Sequence, residues 1–108
     1  LFNYKYINNR LRVSPLLLIP FIENSFKYSK IEEFPKAYIN ITIKTPKKYS
    51  VEFLIRNSIP PIIKAKPGAG TGINNVKQRL KILYPEKHLL DIKETDKTFD
   101  VYLKLDVS

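Results

Sequence analysis

Two short stretches of the sequence combine residue types that bind metal ions and phosphate. The first, ENSFKY, occupies residues 23–28 and sets Glu23, Asn24 and Lys27 at helical spacings of three and four. Carboxylate and amide oxygens can bind Mg²⁺ together with substrate phosphates, and an ammonium beside them can contact the phosphate. The spacing therefore predicts a magnesium and phosphate site on one edge of a helix. The alternative is an ordinary exposed Glu–Lys pair, which has the same pattern.

The second stretch, PGAGTGINNVKQRL, occupies residues 67–80. It holds every glycine of the chain: Gly68, Gly70 and Gly72. Glycines at alternate positions let the backbone approach a ligand closely. Thr71 can cap the helix that follows, and the N–H groups of Gly72 and Ile73 can meet an anion with the helix dipole behind them. The stretch is typical of a phosphate-binding turn, and also of a flexible loop before an ordinary helix.

The hydrophobic pattern predicts two helices that carry these stretches. The first begins at Ser14-Pro15, a cap followed by Pro at the first helical position, and Pro20 is expected to distort its first turns. Its apolar residues recur at steps of three and four: Leu17, Leu18, Phe21, Ile22 and Phe26. The second helix has the same kind of stripe: Ile73, Val76, Leu80 and Leu83. One face of each helix is therefore expected to be buried.

Alternating apolar and polar residues predict strands near the start of the chain, in AYINITIK and YSVEFLIR, and in two closing segments. The TPKK segment should connect a first antiparallel hairpin, and residues 95–97 a second one. Residues 57–69 are interpreted as a surface loop. Because each strand and helix has one apolar face, we expect an α+β fold, a two-layer sandwich with a mostly antiparallel sheet and both helices on one face.

Composition limits the classes of function. With 19 basic and 10 acidic residues among 108, the chain has a net charge of +9, which favours polyanions such as nucleotides, nucleic acid or anionic lipid, or reflects a solvated lysine-rich surface. The absence of Cys excludes disulfides and thiolate sites, and the single His88 makes a histidine-based catalytic triad implausible. Because the chain lacks Met, we expect residues 1–108 to form one domain of a longer protein.

In their order along the chain, these features resemble the ATP-binding domain of two-component sensor histidine kinases. These domains belong to the GHKL, or Bergerat, ATPase superfamily, and the similarity is greatest to its LytS-like branch. SPLLLIPFIENSFKY, residues 14–28, resembles the helix that carries the N box, and GAGTGINNVKQRLKILYP, residues 68–85, resembles the glycine-rich box with its following helix. The resemblance covers nearly the whole chain from about Val13.

The resemblance implies a protein-histidine kinase that uses ATP and Mg²⁺. It implies that Asn24 binds the metal, that Glu23 completes the catalytic N box and that Lys27 contacts phosphate. The implied nucleotide-binding positions are Asn24, Lys27, Tyr28, Asn57, Gly68, Gly70, Thr71, Gly72, Ile73 and Thr98. The implied partners are ATP, a histidine-containing dimerisation domain of the same protein and a response regulator, without nucleic acid. The implied setting is the cytoplasmic part of a membrane-anchored homodimeric sensor in the bacterial inner membrane.

The sequence departs from the family pattern at the base end of the nucleotide pocket. Where the family has an aspartate that accepts a hydrogen bond from adenine, this chain has Arg56-Asn57-Ser58, and an arginine cannot accept one. The amide oxygen of Asn57 could replace it. Two alternatives follow: a degenerate regulatory module that binds nucleotide weakly, or a small basic RNA-binding α/β domain, although the strands carry no run of stacking aromatic residues.

Overall fold

A computed structural model describes residues 2–5, 15–61 and 71–107 of the chain. In these ranges the elements are β1 (Phe2–Lys5), α1 (Pro15–Ser29), β2 (Ile39–Lys47), β3 (Ser50–Ser58), α2 (Thr71–Leu83), β4 (His88–Glu94) and β5 (Thr98–Asp106). The sheet has the order β1-β2-β3-β5-β4. β1 pairs in parallel with β2, and the other neighbours are antiparallel. Neither of the described helices is long and apolar enough to cross a membrane.

The hydrophobic core lies between one face of the sheet and the two helices. Leu17 and Phe21 of α1 are fully buried. On α2, Leu80 is fully buried and the side chain of Val76 is 1% exposed. Ile73 of α2 also belongs to the core, and the strands contribute its other side chains: Ile39, Ile41, Val51, Phe53, Ile55, Phe99, Val101, Leu103 and Leu105. The two-layer α+β arrangement and the mostly antiparallel sheet that the sequence predicts are confirmed.

The central strand β3 has two chemically different faces. Its odd-numbered residues from Val51 to Asn57 are buried beneath the helices, whereas Glu52 to Ser58 alternate onto the opposite, open face. β5 continues both faces, because Phe53 pairs with Leu103 and Arg56 pairs with Asp100 in the antiparallel register. Adjacent residues of β3 therefore experience different surroundings.

Two apolar residues that the sequence assigns to buried stripes are exposed. Phe26 is 50% exposed, because it follows Phe21 by five residues and so lies about 140° around the helix from it. Leu83 is 56% exposed, at the last residue of α2, where the chain turns towards β4. The core-facing stripes are therefore narrower than the hydrophobic pattern alone predicts.

The element boundaries also differ from the sequence prediction. β2 continues through Pro46 to Lys47, with a register shift after Lys44, so the TPKK segment is mostly strand and the tight turn follows it. β3 includes Asn57 and Ser58, because the Ser58 N–H bonds to the Tyr38 carbonyl at 3.0 Å and extends the sheet. α1 is continuous through Pro20. The expected loop therefore begins after β3.

Candidate functional site

The structure brings the first helix edge and the start of the second helix together. Pro20, Asn24 and Lys27 follow one another at steps of four and three, so they share one edge of α1. A Cβ built on Gly72 would lie 3.9 Å from the Cβ of Pro20. The N-terminus of α2 therefore meets α1 one turn before Asn24. The two stretches singled out from the sequence are neighbours in space.

The polar side chains of this edge are differently exposed. Asn24 is half-buried, whereas Glu23 and Lys27 are exposed. The Lys27 ammonium lies 5.3 Å from the centre of the Tyr28 ring, and within the described residues it forms no ion pair with Glu23. A cation–π contact at an exposed site is weak and leaves the ammonium accessible to an anion. The Glu–Lys pair that was the alternative explanation of this pattern is therefore absent here.

The start of α2 provides backbone donors without bulky side chains. Thr71 begins the helix, Gly72 is exposed, and Ile73 is buried in the core with 4% exposure. The first N–H groups of an α-helix have no partner within the helix and favour anions. Ile73 can offer a ligand only its N–H, since its side chain packs inwards. Gly68 and Gly70 lie outside the described residues.

Asn57 places an amide in the core beneath the helices. Its side chain is fully buried, and its Nδ2 donates to the Ser58 carbonyl oxygen at 2.9 Å. That bond fixes the orientation of the amide, because the flipped form would set two acceptors against each other. The remaining atom, Oδ1, is buried and has no hydrogen-bond partner among the described residues. A buried acceptor without a donor costs about 1–3 kcal/mol, so it marks a position suited to a ligand N–H.

Arg56, the residue before Asn57, points away from the helices and cannot contact a ligand bound beside Asn57. It lies on the open face, where its Nε and Nη2 each donate to a carboxylate oxygen of Asp100 at 2.8 Å. The hydrogen bonds to Asp100, and then its negative charge, raise the pKa of Arg56 further above its ordinary value. The residue at the helix-facing end of β3 is therefore Asn57, an amide with a hydrogen-bond acceptor.

Thr98 is not brought to the same place as Asn57. The next residue, Phe99, is buried on the helix face, so Thr98 lies on the open face, opposite Ser58. Its hydroxyl is 3.0 Å from the Thr95 hydroxyl in the turn before β5. The structure thus separates Thr98 from the other implied nucleotide-binding side chains.

Sequence reasoning missed two buried serines on α1. Ser25 is 1% exposed and Ser29 is fully buried, on the same face as Phe21 and Tyr28. Among the described residues the Ser29 Oγ has no hydrogen-bond partner. Both serines follow Phe21 at intervals of four, a spacing that could have indicated their burial. The interior contact of α1 is therefore polar towards its C-terminal end and apolar towards its start.

A metal ion at this site would depend on few protein ligands. The described part of the chain contains no cluster of three or more His, Cys, Asp or Glu side chains able to hold one. Mg²⁺ commonly retains several waters and is held by one or two protein oxygens plus substrate phosphates. The Asn24 amide on the edge beside α2 fits that requirement, whereas a permanently bound structural metal would not fit.

Comparison with known proteins was informative at the level of structure. No family model matches the sequence, and no curated protein matches it either. The catalytic domain of the histidine kinase ThkA is 19% identical, with a TM-score of 0.60 over 98% of this chain and 77% of that chain. The chain has the fold of histidine kinase catalytic domains.

Two further histidine kinases show the same fold similarity. The histidine kinase domain of a blue-light-activated kinase from Erythrobacter litoralis is 11% identical, with a TM-score of 0.69 over 98% of this chain and 54% of that chain. Acinetobacter baumannii histidine kinase AdeS is 13% identical, with a TM-score of 0.62 over 99% and 54%. The TM-scores establish the fold, and at these low identities the LytS-like branch stays a prediction.

Proposed function

We propose that this chain is the ATP-binding catalytic domain of a histidine kinase and that it binds Mg·ATP on the helix side of the sheet. The observation that carries the proposal is the buried Asn57 Oδ1, which lacks a hydrogen-bond donor among the described residues. The amino group of adenine is such a donor. The histidine kinase fold supports the same assignment, since α1 packs directly on β3 in this arrangement.

The phosphates would bind along the edge of α1 that carries Asn24 and Lys27, next to the point where the start of α2 meets Pro20. The Asn24 amide oxygen would bind Mg²⁺, which supplies positive charge to the phosphates when bound. Lys27 would contact a phosphate through its exposed ammonium, and the N–H groups of Gly72 and Ile73 would donate to phosphate oxygens. Glu23, exposed next to Asn24, remains the catalytic candidate of this edge.

At the base end, Tyr28 and Asn57 would contact adenine. Tyr28 is 8% exposed at the inner side of α1 and offers an aromatic surface, and Asn57 offers the acceptor. Thr98 is left out of the proposed pocket, because its side chain lies on the open face. Gly68, Gly70 and Thr71 retain their proposed role as the turn over the phosphates.

Phosphoryl transfer depends mainly on positioning and charge stabilisation, which a domain of this kind supplies to an acceptor on another domain. His88 is the only histidine of the chain, and its Nδ1 lies 2.7 Å from the Tyr84 carbonyl oxygen at the start of β4. We therefore place the acceptor histidine on a separate dimerisation domain. A response regulator would follow, and the whole protein would be a membrane-anchored homodimer with this domain in the cytoplasm.

The open face of the sheet does not favour the RNA-binding alternative. Among the described side chains of β2, β3, β4 and β5, Tyr102 is the one aromatic residue on the open face. Its hydroxyl donates to Glu52 Oε1 at 2.6 Å. Sheet-based RNA binding uses several aromatic residues that stack on unpaired bases. The fold and the acceptor of Asn57, unpartnered within the described ranges, therefore favour nucleotide binding on the helix side.

Calorimetric titration with Mg·ATP tests the proposal. We expect saturable binding to the wild-type chain, a loss of about tenfold or more in affinity for Asn24→Ala, and weaker binding of Mg·GTP. Asn40→Ala is the matched control, since Asn40 is an exposed asparagine on the open face. Unchanged binding by Asn24→Ala would contradict the phosphate assignment. A wild-type chain that binds neither ATP nor ADP at millimolar concentration would favour the degenerate regulatory module.

A further inference from the structure

The turn between β2 and β3 forms a second polar concavity, which we call the hairpin pocket. It has a volume of about 410 Å³ and is lined by Lys47, Lys48, Tyr49, Ser50, Lys104 and Asp106. Three ammonium groups therefore surround this pocket with one carboxylate, so that its local charge is positive.

Ser50 supplies a second, independent indication of a ligand. It is only 7% exposed, and its Oγ, which is buried in the lining of the hairpin pocket, has no hydrogen-bond partner in the part of the chain that the structure describes. A hydroxyl can donate to an anion, and leaving it without a partner has a cost. The lysines explain the charge of the pocket, but they do not explain why a buried donor remains unused beside them.

The backbone around Ser50 is held in place by the sheet. Ser50 pairs with Asp106 in β5 and with Lys47 in β2, and the Val107 N–H bonds to the Tyr49 carbonyl oxygen at 2.8 Å. The Lys48 ammonium lies 5.3 Å from the centre of the Tyr49 ring, which holds this long side chain near the pocket. The pocket is therefore a fixed feature of the hairpin with flexible cations at its rim.

The hairpin pocket is separate from the proposed nucleotide site. Ser50 and Asn57 stand at opposite ends of β3, seven residues apart. At about 3.3 Å per residue, this distance is roughly 23 Å along the strand. A ligand in the hairpin pocket is therefore not part of the same bound nucleotide.

We propose that the hairpin pocket binds a phosphate group, with Lys47, Lys48 and Lys104 as cations and the Ser50 hydroxyl as the fixed donor. Phosphate oxygens accept charge-assisted hydrogen bonds from ammonium and hydroxyl groups at once. The carboxylate of Asp106 offsets one of the three lysine charges. The pocket therefore suits a single phosphate group, which the hydroxyl and two or three lysines can bind. The phosphate belongs either to a free phosphorylated molecule or to a lipid headgroup.

Pyrophosphate titration of the whole chain, followed by amide chemical shifts, tests the site. We expect saturable shifts at residues 47–50 and 104–106, in wild type and in Asn24→Ala alike. Ser50→Ala removes only the unpaired hydroxyl and should weaken the affinity about fivefold. The matched control is Ser29→Ala. Ser29, the last residue of α1, is also a buried serine without a hydrogen-bond partner among the described residues, and its substitution should leave these shifts unchanged.

Two double variants distinguish binding in the hairpin pocket from non-specific attraction of pyrophosphate to a positively charged protein. Lys47→Gln with Lys48→Gln should weaken pyrophosphate binding about tenfold, whereas Lys77→Gln with Lys81→Gln removes the same charge from exposed positions on α2 and should change it less than about twofold. Equal effects of the two double variants, or wild-type affinity in Ser50→Ala, would overturn the proposal. Absence of saturation at these residues would overturn it as well.

Vesicles distinguish the two sources of the phosphate. Retention on phosphatidylglycerol vesicles that pyrophosphate competes away, and that Ser50→Ala weakens, supports a lipid headgroup. Saturable pyrophosphate binding without vesicle retention supports a free phosphorylated ligand. Vesicle binding that neither pyrophosphate nor Ser50→Ala affects would show diffuse charge attraction and would overturn the site. Because Asn24→Ala leaves the expected result unchanged, failure here is distinguishable from failure of the proposed kinase function.

Discussion

Arg56 and Asn57 are neighbours in β3, yet their polar groups meet opposite conditions. Arg56 lies on the open face and forms a two-point pair with Asp100 at 2.8 Å. Asn57 lies beneath the helices, uses its Nδ2 on Ser58, and keeps a buried Oδ1 without a donor among the described residues. The exposed residue therefore has a two-point partner, whereas the buried one keeps an acceptor without a donor in the described part of the chain.

The same contrast extends along the two faces of the sheet. On the open face the Tyr102 hydroxyl donates to Glu52 at 2.6 Å, so a second cross-strand polar pair is complete. On the helix side, Ser29 has a buried hydroxyl without a partner in the described chain. Buried polar groups in native proteins are nearly always bonded, so each exception calls for an explanation, and a donor on the nucleotide is the one that we propose for Asn57. We therefore assign nucleotide binding to the helix face, whereas the polar pairs in the middle of the open face are structural.

The largest expected effect concerns stability. Phe53→Ala should lower the free energy of unfolding by about 4 kcal/mol, because it empties a fully packed position under the helices. Leu54→Ala, on the half-buried open face, should cost only about 1 kcal/mol. Urea unfolding followed by circular dichroism measures both. Equal losses would contradict the assignment of one face to the core.

The second prediction concerns nucleotide affinity. Asn57→Leu keeps most of the side-chain volume but removes the acceptor, so Mg·ATP affinity should fall about tenfold and the preference over Mg·GTP should shrink. Guanine carries a carbonyl oxygen where adenine carries the amino group, which explains the expected preference. Arg56→Gln is the control on the adjacent residue and should leave affinity within about twofold. If Asn57→Leu binds both nucleotides with wild-type affinity, Asn57 does not accept a hydrogen bond from adenine.

A smaller effect is expected from breaking the open-face ion pair. Asp100→Asn should lower Tm by at most about 2 °C at low salt, because Arg56 is largely exposed and such pairs contribute little. The difference should decrease at high salt through screening. Nucleotide affinity should remain that of the wild type. A large loss of affinity in this variant would indicate that the open face takes part in binding.

The last prediction concerns Tyr102, whose deprotonation changes stability only at alkaline pH. Its hydrogen bond to Glu52, followed by burial and the negative charge of Glu52, raises its pKa from 10.0 to about 12. The folded state therefore holds this proton more tightly than the unfolded state. The contribution to stability is complete below pH 10 and is lost as pH rises towards 12.

Ultraviolet titration of tyrosinate measures this shift. Glu52→Gln should move the last tyrosine transition to lower pH, and Tyr102→Phe should remove that transition. The hydrogen bond would be disproved if Glu52→Gln left the titration curve unchanged. Neither variant should alter Mg·ATP binding, because both residues lie on the open face.

Much of the fold could be predicted from residue periodicity. The alternation of apolar and polar residues in β3 and β5 predicts strands clearly, because one face of each strand is buried. The spacing of four between Leu17 and Phe21 predicts the buried face of α1 in the same way. Phe26 and Leu83 were assigned to the core incorrectly, because periodicity does not tell how wide the partner surface is or where a helix leaves it. The extension of β2 past Pro46 depended on pairing with β3, which the local sequence does not contain.

The candidate site could be predicted only in part. The start of α2 lies against Pro20, one turn before Asn24 on α1, so the two polar stretches singled out from the sequence meet. The opposite orientations of Arg56 and Asn57 could not be inferred while residue 57 was interpreted as loop, since facing depends on the strand register. The facing of Thr98, which pairs with Ser58 on the open face, depends on the register in the same way. Ser29 and Ser50 became notable only through burial, a tertiary property.

The most direct test of the helix-face assignment is an amide and side-chain NMR titration with Mg²⁺ and a non-hydrolysable ATP analogue. We expect saturable shifts at Asn24, Tyr28 and Gly72 and at the Asn57 side-chain amide, while the signals of Arg56 and Asp100 stay unchanged. Asn24→Ala should need about tenfold more analogue to reach the same shifts, without loss of folding. Saturable shifts at Arg56 and Asp100 with none at Asn24 and Asn57 would contradict the assignment of nucleotide binding to the helix face.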